Sequence, residues 1–393
     1  MRHLKVLFSS SGRVRVIFLL VLVVCVASVL LGASSTSEAA PARSSTASRG
    51  RPHASTVGPR HAQAKEKQQT LAPRATYRGT SVVFVHGLNG GEGLLGSAPN
   101  GSGTMPECDI YWSDAASFLA SRWQGDLRQI SYYNREVKPD GSQCASNGNE
   151  EGSAGHYTAD LHNPLYRVHC VGMGNTNDGT NNESLDHISC LFGWYLYYNF
   201  GQRNWSEVLV GHSMGGLIIR HTMELAERHI SWMPPTIGTV TDAITFDTPH
   251  NGILGASLAC GNCTQGQEMN WNSAFMRDLG ANARHPNSGG TTDWTIVGSH
   301  CDTLVGNSAL MMNANHKVWY ESSSTGSCYN HGGALHDPST VLNALVSYCD
   351  TSDVSGNACA FDDGHGQGPG WFYEGAYPHG LLEMYNAIAS YSW

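Results

Sequence analysis

Charge is scarce in this chain, and positive charge is scarcest where most of the chain lies. Asp, Glu, Lys and Arg make up 14% of 393 residues. Twelve of the 23 Lys/Arg fall at or before Arg78, against two of the 32 acids, leaving 11 basic and 30 acidic residues in the rest. A body near −19 repels polyanions, which excludes nucleic acid as a partner. After Leu31 there is no apolar run long enough to span a bilayer. Cys260-Gly-Asn-Cys263 has no second such pair and no nearby His to complete a zinc site, so the cysteines are not read as metal ligands.

What is present is a core-forming chain, 40% hydrophobic, with 45 glycines that imply many loops. Its start has the layout of an export signal. Arg2, Lys5, Arg13 and Arg15 are basic, Val14 to Leu31 is almost wholly apolar, and small residues follow. Cleavage is expected near Ala39, giving a signal peptide over 1–39 and a secreted, extracellular protein; an uncleaved anchor is the alternative. Residues 40–77 are rich in Ser, Ala, Arg, Pro and Gln and read as a disordered linker or propeptide. Residues 78–393 form the expected catalytic domain. Setting aside Cys25 leaves ten cysteines, an even number suited to disulfides in an exported chain. Neighbour pairing gives Cys108–Cys144, Cys170–Cys190, Cys260–Cys263, Cys301–Cys328 and Cys349–Cys359.

The chemistry is concentrated at Gly211-His-Ser-Met-Gly215. Val208 to Val210 reads as a buried strand and Leu217 to Ala226 as a helix. A Gly-x-Ser-x-Gly turn between them is the context that makes Ser213 a nucleophile rather than a turn serine. The Met214 N–H would then point at a developing oxyanion. Thr80 to Val85 is a second buried strand, ending at His86-Gly-Leu-Asn-Gly90, where the Leu88 N–H is placed as a second donor and His86 supports the loop.

Further along, Ser113–Trp123 and Leu185–Phe200 read as helices, and Leu127–Tyr133, Asp242–Phe246, Thr295–Gly298 and Val318–Tyr320 as strands. A helix is expected from Asp337-Pro338 through Val341, Leu342, Ala344 and Leu345. Lys138 to Glu183 reads as a disulfide-held insertion whose histidines, His162 among them, look like scattered surface residues. Ile253 to Asn287 can serve as a lid or as an ordinary connector. Alternating strands and helices imply an α/β fold with a mostly parallel sheet covered on both faces.

A serine hydroxyl needs a histidine to take its proton and a carboxylate to orient that histidine. In chain order Ser, acid, His, the acid falls at Asp302, with Asp247 as the alternative. The base falls at His331, with His379 and His336 as alternatives.

His86-Gly-Leu-Asn-Gly90, Gly211-His-Ser-Met-Gly215, Asp247-Thr-Pro-His-Asn-Gly252, Asp302-Thr-Leu-Val305 and the run from His331 to Val341 resemble α/β-hydrolase lipases, especially small secreted bacterial triacylglycerol lipases. The resemblance spans about Ser81 to Tyr348. It implies Ser213 as nucleophile, Asp302 as acid, His331 as base, and Leu88 and Met214 as oxyanion donors. The implied partner is an ester or lipid substrate, with transient contact at a lipid interface. No metal, organic cofactor or obligate protein partner is required. Polyester hydrolysis on the same triad is the nearest rival, with Trp371, Phe372, Tyr373 and Trp393 able to dock a polymer or simply to pack. A non-catalytic surface-binding protein is the more distant rival.

Overall fold

The computed structural model describes residues 80–88, 111–133, 151–153, 156–174, 178–280, 286–287, 292–323, 326–348 and 371–389. The chain divides into two compact units, Met1–Gln68 and Gln69–Trp393, and every described residue belongs to the second. The expected signal peptide and linker therefore lie outside the described residues. So do the expected pairs Cys108–Cys144 and Cys349–Cys359.

Ten described strands form one sheet: β1 Ser81–Val85, β2 Leu127–Ser131, β3 Glu151–Ser153, β4 His156–Asp160, β5 Ser206–His212, β6 Thr239–Phe246, β7 Asp293–Ser299, β8 His316–Tyr320, β9 Leu342–Tyr348 and β10 Trp371–Tyr377. Their order is β10-β9-β8-β7-β6-β5-β1-β2-β4-β3. The strands from β4 to β8 in that order are all parallel, while β3, β9 and β10 pair antiparallel at the margins. The described helices are α1 Ser113–Ala120, α2 Pro164–Arg167, α3 Leu185–Asn199, α4 Met214–Glu227, α5 Ala256–Ala259, α6 Thr264–Glu268, α7 Ala274–Gly280 and α8 Gly380–Ile388.

Period-two alternation places the helices on both faces. On β1, Val83 and Val85 enter one apolar cluster and Val82 and Phe84 the other. The first cluster takes Ile188, Leu191 and Leu196 of α3 and Leu217, Ile218 and Met223 of α4. The second takes Ala115 and Leu119 of α1 and Leu381, Met384 and Ile388 of α8. Burying each large apolar side chain stabilises by about 1.5–3 kcal/mol, against about 1 kcal/mol net for one hydrogen bond. The two layers, more than the ladder, therefore hold the sheet. Strand order, parallel core and the strand–turn–helix unit at Ser213 give the α/β-hydrolase fold.

One expectation is corrected. Leu342 to Leu345 is strand β9, not helix. Its apolar residues split between the faces, with Leu342, Ala344 and Val346 in one cluster and Leu345 in the other. A strand buried on both sides lacks clean alternation and is easily read as helical. Within the Lys138–Glu183 stretch, β4 joins the sheet in parallel beside β2. The segment after Ile253 packs Met269, Phe275, Met276 and Leu279 into the first cluster. The pairs Cys170–Cys190, Cys260–Cys263 and Cys301–Cys328 are disulfides, as expected.

Candidate active site

The adjacent parallel strands β1, β5, β6 and β7 end at one lip of the sheet, and each is followed there by a residue singled out above. Leu88 follows β1, Ser213 follows β5, Asp247 follows β6 and Asp302 follows β7. Loops at the carboxyl ends of parallel strands are where such sheets form their crevices.

Ser213 has φ 54° and ψ −126°, a conformation seldom adopted by residues other than glycine. It is held by its N–H bonding to the Phe246 carbonyl (2.9 Å) and by close packing around the turn. A Cβ on Gly211 would lie 2.6 Å from the Gly216 Cα, and one on Gly215 would collide with the Val85 carbonyl. Met214 is the first residue of α4, so its N–H is among those a helix leaves without an intrahelical acceptor. Across from it, Gly87 lets the β1 loop touch the serine. A Cβ there would sit 2.8 Å from the Ser213 Cβ and 3.3 Å from its Oγ. Tyr132 pins the same loop, donating its hydroxyl to the His86 carbonyl at 2.5 Å. His86 stacks on Tyr132 with ring centroids 4.1 Å apart, consistent with a supporting part.

Asp302 and His331 meet. The Asp302 Oδ2 accepts Nδ1–H of His331 at 2.9 Å, while its Oδ1 accepts the Leu304 and Val305 N–H groups at 2.9 and 3.1 Å. The carboxylate is buried and the imidazole is 24% exposed. This arrangement fixes the His331 tautomer, leaving Nε2 with a lone pair. Burial works against the imidazolium, but the Asp302 hydrogen bond and the charges of Asp247 and Asp302 outweigh it, so the pKa stands above the ordinary 6.5. The Cys301–Cys328 disulfide and a 2.7 Å bond from the Ser299 hydroxyl to the Tyr329 carbonyl tie the two loops together.

The alternatives go elsewhere. Asp247 accepts the Gly332 N–H at 2.9 Å rather than a His331 N–H. Burial and the nearby Asp302 push its carboxyl up to about 7, against the pull of His331 and the Gly332 N–H. His336 pairs with Asp114 at 3.0 Å. His379 caps α8, its Nδ1 accepting from the Leu382 N–H.

Ser213, Asp302 and His331 line one cavity of about 300 Å³, together with Gly87, Leu88, Tyr111 and His212. Two of these residues were not legible in the sequence. His212 packs its ring 4.6 Å from that of His331, and its Nδ1 is hydrogen-bonded to the Tyr111 hydroxyl. Burial, reinforced by the neighbouring His331, His336 and His86, holds its pKa well below 6.5, so it is a neutral wall. Its place inside the Gly-x-Ser-x-Gly turn was the only available signal. Tyr111 follows a stretch without pattern and gave none.

No known family profile and no curated protein matches the sequence. Similar solved structures include phospholipase PlaB from Legionella pneumophila, at 14% identity over 56% of this chain and 39% of that one, with a TM-score of 0.32. Mature Bacillus licheniformis lipase BlEst2 matches at 17% identity over 57% and 67%, TM-score 0.31. Aspergillus fumigatus lipase B matches at 13% over 68% and 51%, TM-score 0.39. The chain thus spans about two fifths of the length of the Legionella phospholipase. Likenesses this remote add no weight to a reading of function.

Proposed function

We propose that this chain is a secreted serine hydrolase of carboxylic esters, a lipase or carboxylesterase. One observation carries the reading: a strained serine at a strand–helix turn shares a cavity with an imidazole whose far nitrogen is held by a buried carboxylate.

In this reading the Ser213 hydroxyl attacks the ester carbonyl as His331 Nε2 takes its proton. Asp302 holds the ring and stabilises the imidazolium. The Leu88 and Met214 N–H groups receive the oxyanion. His331 then protonates the departing alcohol, leaving an acyl group on Ser213. Water, deprotonated by the same nitrogen, releases the acid and restores the hydroxyl. The raised His331 pKa eases uptake of the serine proton. Transient contact with a lipid interface belongs to the same proposal. A polyester substrate is the second reading, favoured by Phe372 and Tyr373, which stand 56% and 61% exposed on β10.

The test is fluorophosphonate labelling with peptide mapping, beside hydrolysis of a short chromogenic ester. The label is expected on Ser213, and Ser213→Ala is expected to lose both label and turnover. A label on another residue, or an Ala variant that still hydrolyses the ester, overturns the proposal. An acyl-chain series and a polyester film then separate the two substrate classes.

A further inference from the structure

His331 is hydrogen-bonded at one edge. Its Nδ1–H is donated to Asp302 at 2.9 Å, and the ring is part-exposed to the cavity it shares with Ser213. One hydrogen bond fixes a point of the ring, not its plane. The outer torsion of a histidine side chain joins sp³ to sp² carbon and is soft, so the ring can still rock about that point. Rocking moves Nε2, the atom that has to meet the Ser213 proton.

His212 presses on the face of that ring. The two ring centroids are 4.6 Å apart, with the planes tilted by 47°. His212 ends β5 and immediately precedes the nucleophile. One backbone step thus carries both the serine and the stop against which the base rests. His212 also meets the backbone that follows the base. Gly332 has φ 81°, and a Cβ there would lie 3.3 Å from His212 Nε2. The Gly332 N–H is bonded to Asp247 Oδ2 at 2.9 Å, which holds this backbone in place.

His212 is itself braced. It is buried, and its Nδ1 is hydrogen-bonded to the hydroxyl of Tyr111, also buried. Its Nε2 is buried with no hydrogen-bond partner among the described residues. A buried histidine kept for its hydrogen bonds has both edges paired. What His212 supplies toward the base is therefore its ring. Burial holds that ring neutral, so it does not repel the imidazolium that forms when His331 takes the serine proton. An aromatic face attracts a cation.

We propose, on the hydrolase reading above, that His212 braced by Tyr111 is the positioning residue of the base. It sets the plane of the His331 imidazole and hence the reach of Nε2 toward the Ser213 hydroxyl. Asp302 fixes which nitrogen carries the proton; His212 fixes where the other one points. No bond to His212 forms or breaks in the reaction.

The experiment compares the wild type with His212→Ala, His212→Phe and Tyr111→Phe by two readouts. One is steady-state hydrolysis of a soluble chromogenic ester. The other is the NMR signal of the His331 Nδ1–H proton, assigned by its absence from His331→Ala. His212→Ala should lower kcat about 100-fold with KM changed less than about twofold, the cost of a misplaced reacting group. His212→Phe restores a ring and should recover kcat to within about fivefold of wild type. Tyr111→Phe keeps the His212 ring but unties it, and kcat should fall about tenfold. The proton signal should be sharp in the wild type and His212→Phe, and lost to exchange in His212→Ala. Circular dichroism checks folding, and Tyr111→Phe, which removes one oxygen, decides the matter if His212→Ala does not fold. An unchanged kcat in His212→Ala or Tyr111→Phe, an effect confined to KM, or a His212→Phe as impaired as His212→Ala each overturns the role. The NMR readout needs no turnover. A wild type that leaves the ester intact refutes the hydrolase reading, while loss of the signal in His212→Ala alone still upholds the brace. Turnover by wild type and His212→Ala alike refutes the brace alone.

Discussion

His331 and His162 are both partly buried imidazoles beside carboxylates, yet they are built for opposite ends. His331 has Asp302 on Nδ1, and its other side opens to the cavity it shares with Ser213. His162 has Asp160 on one nitrogen and Glu183 on the other. One carboxylate leaves a lone pair free to accept a proton. Two carboxylates favour the charged ring and raise its pKa to about 10 against the penalty of burial. The number of carboxylates around an imidazole, more than its burial, separates a base from a clamp.

The comparison breaks most sharply at His331 itself. His331→Ala removes the nitrogen that accepts the serine proton, and kcat on a chromogenic ester should fall about 10⁶-fold. A loss below about 100-fold would mean another base serves Ser213.

Next comes the single carboxylate. Asp302→Asn should lower kcat about 10⁴-fold by releasing the tautomer. If the variant keeps a tenth of the activity, Asp247 is taking the acid's place.

The His162 side is sharpened by pH and stability. Its folded pKa, about 10, lies above the free value of 6.5. Its contribution is therefore complete below pH 6.5 and lost as pH rises through about 10. Tm should fall across that window. Thermal melts at pH 6, 8 and 10 check this.

The smallest expected effect is at Asp247. His331 must be neutral to act, so kcat/KM should rise with pH through a midpoint above 6.5. Asp247, titrating near 7, adds negative charge beside the ring as it ionises. Asp247→Asn removes that charge while keeping an acceptor for Gly332. The rising limb should then shift to lower pH by under about one unit. A shift to higher pH would contradict this electrostatic account.

Both histidines show what a linear reading can reach. Ser213 was legible because Gly211 and Gly215 are small for a stated reason: a β-carbon at either collides with backbone. Asp302 and His331 were legible from chain order, each following a strand. His162 was misjudged as scattered surface, because Asp160, Asp178, Glu183 and His187 are spread over 28 residues of polar, patternless chain. Strand β9 was misjudged because burial on both faces erases the alternation that marks a strand.

By itself, the sequence determined the local features: the buried strands, the glycine-flanked turn and the order of the serine, acid and histidine. These depend on neighbours a few positions away, where residue type and spacing already constrain the backbone. Only the tertiary structure decided which carboxylate meets which imidazole. Asp302 rather than Asp247 bonds His331, and Asp160 and Glu183 close on both sides of His162. The physical reason is that hydrogen bonds and charge act over a few ångströms of space, and the packing of the sheet, not distance along the chain, sets those separations.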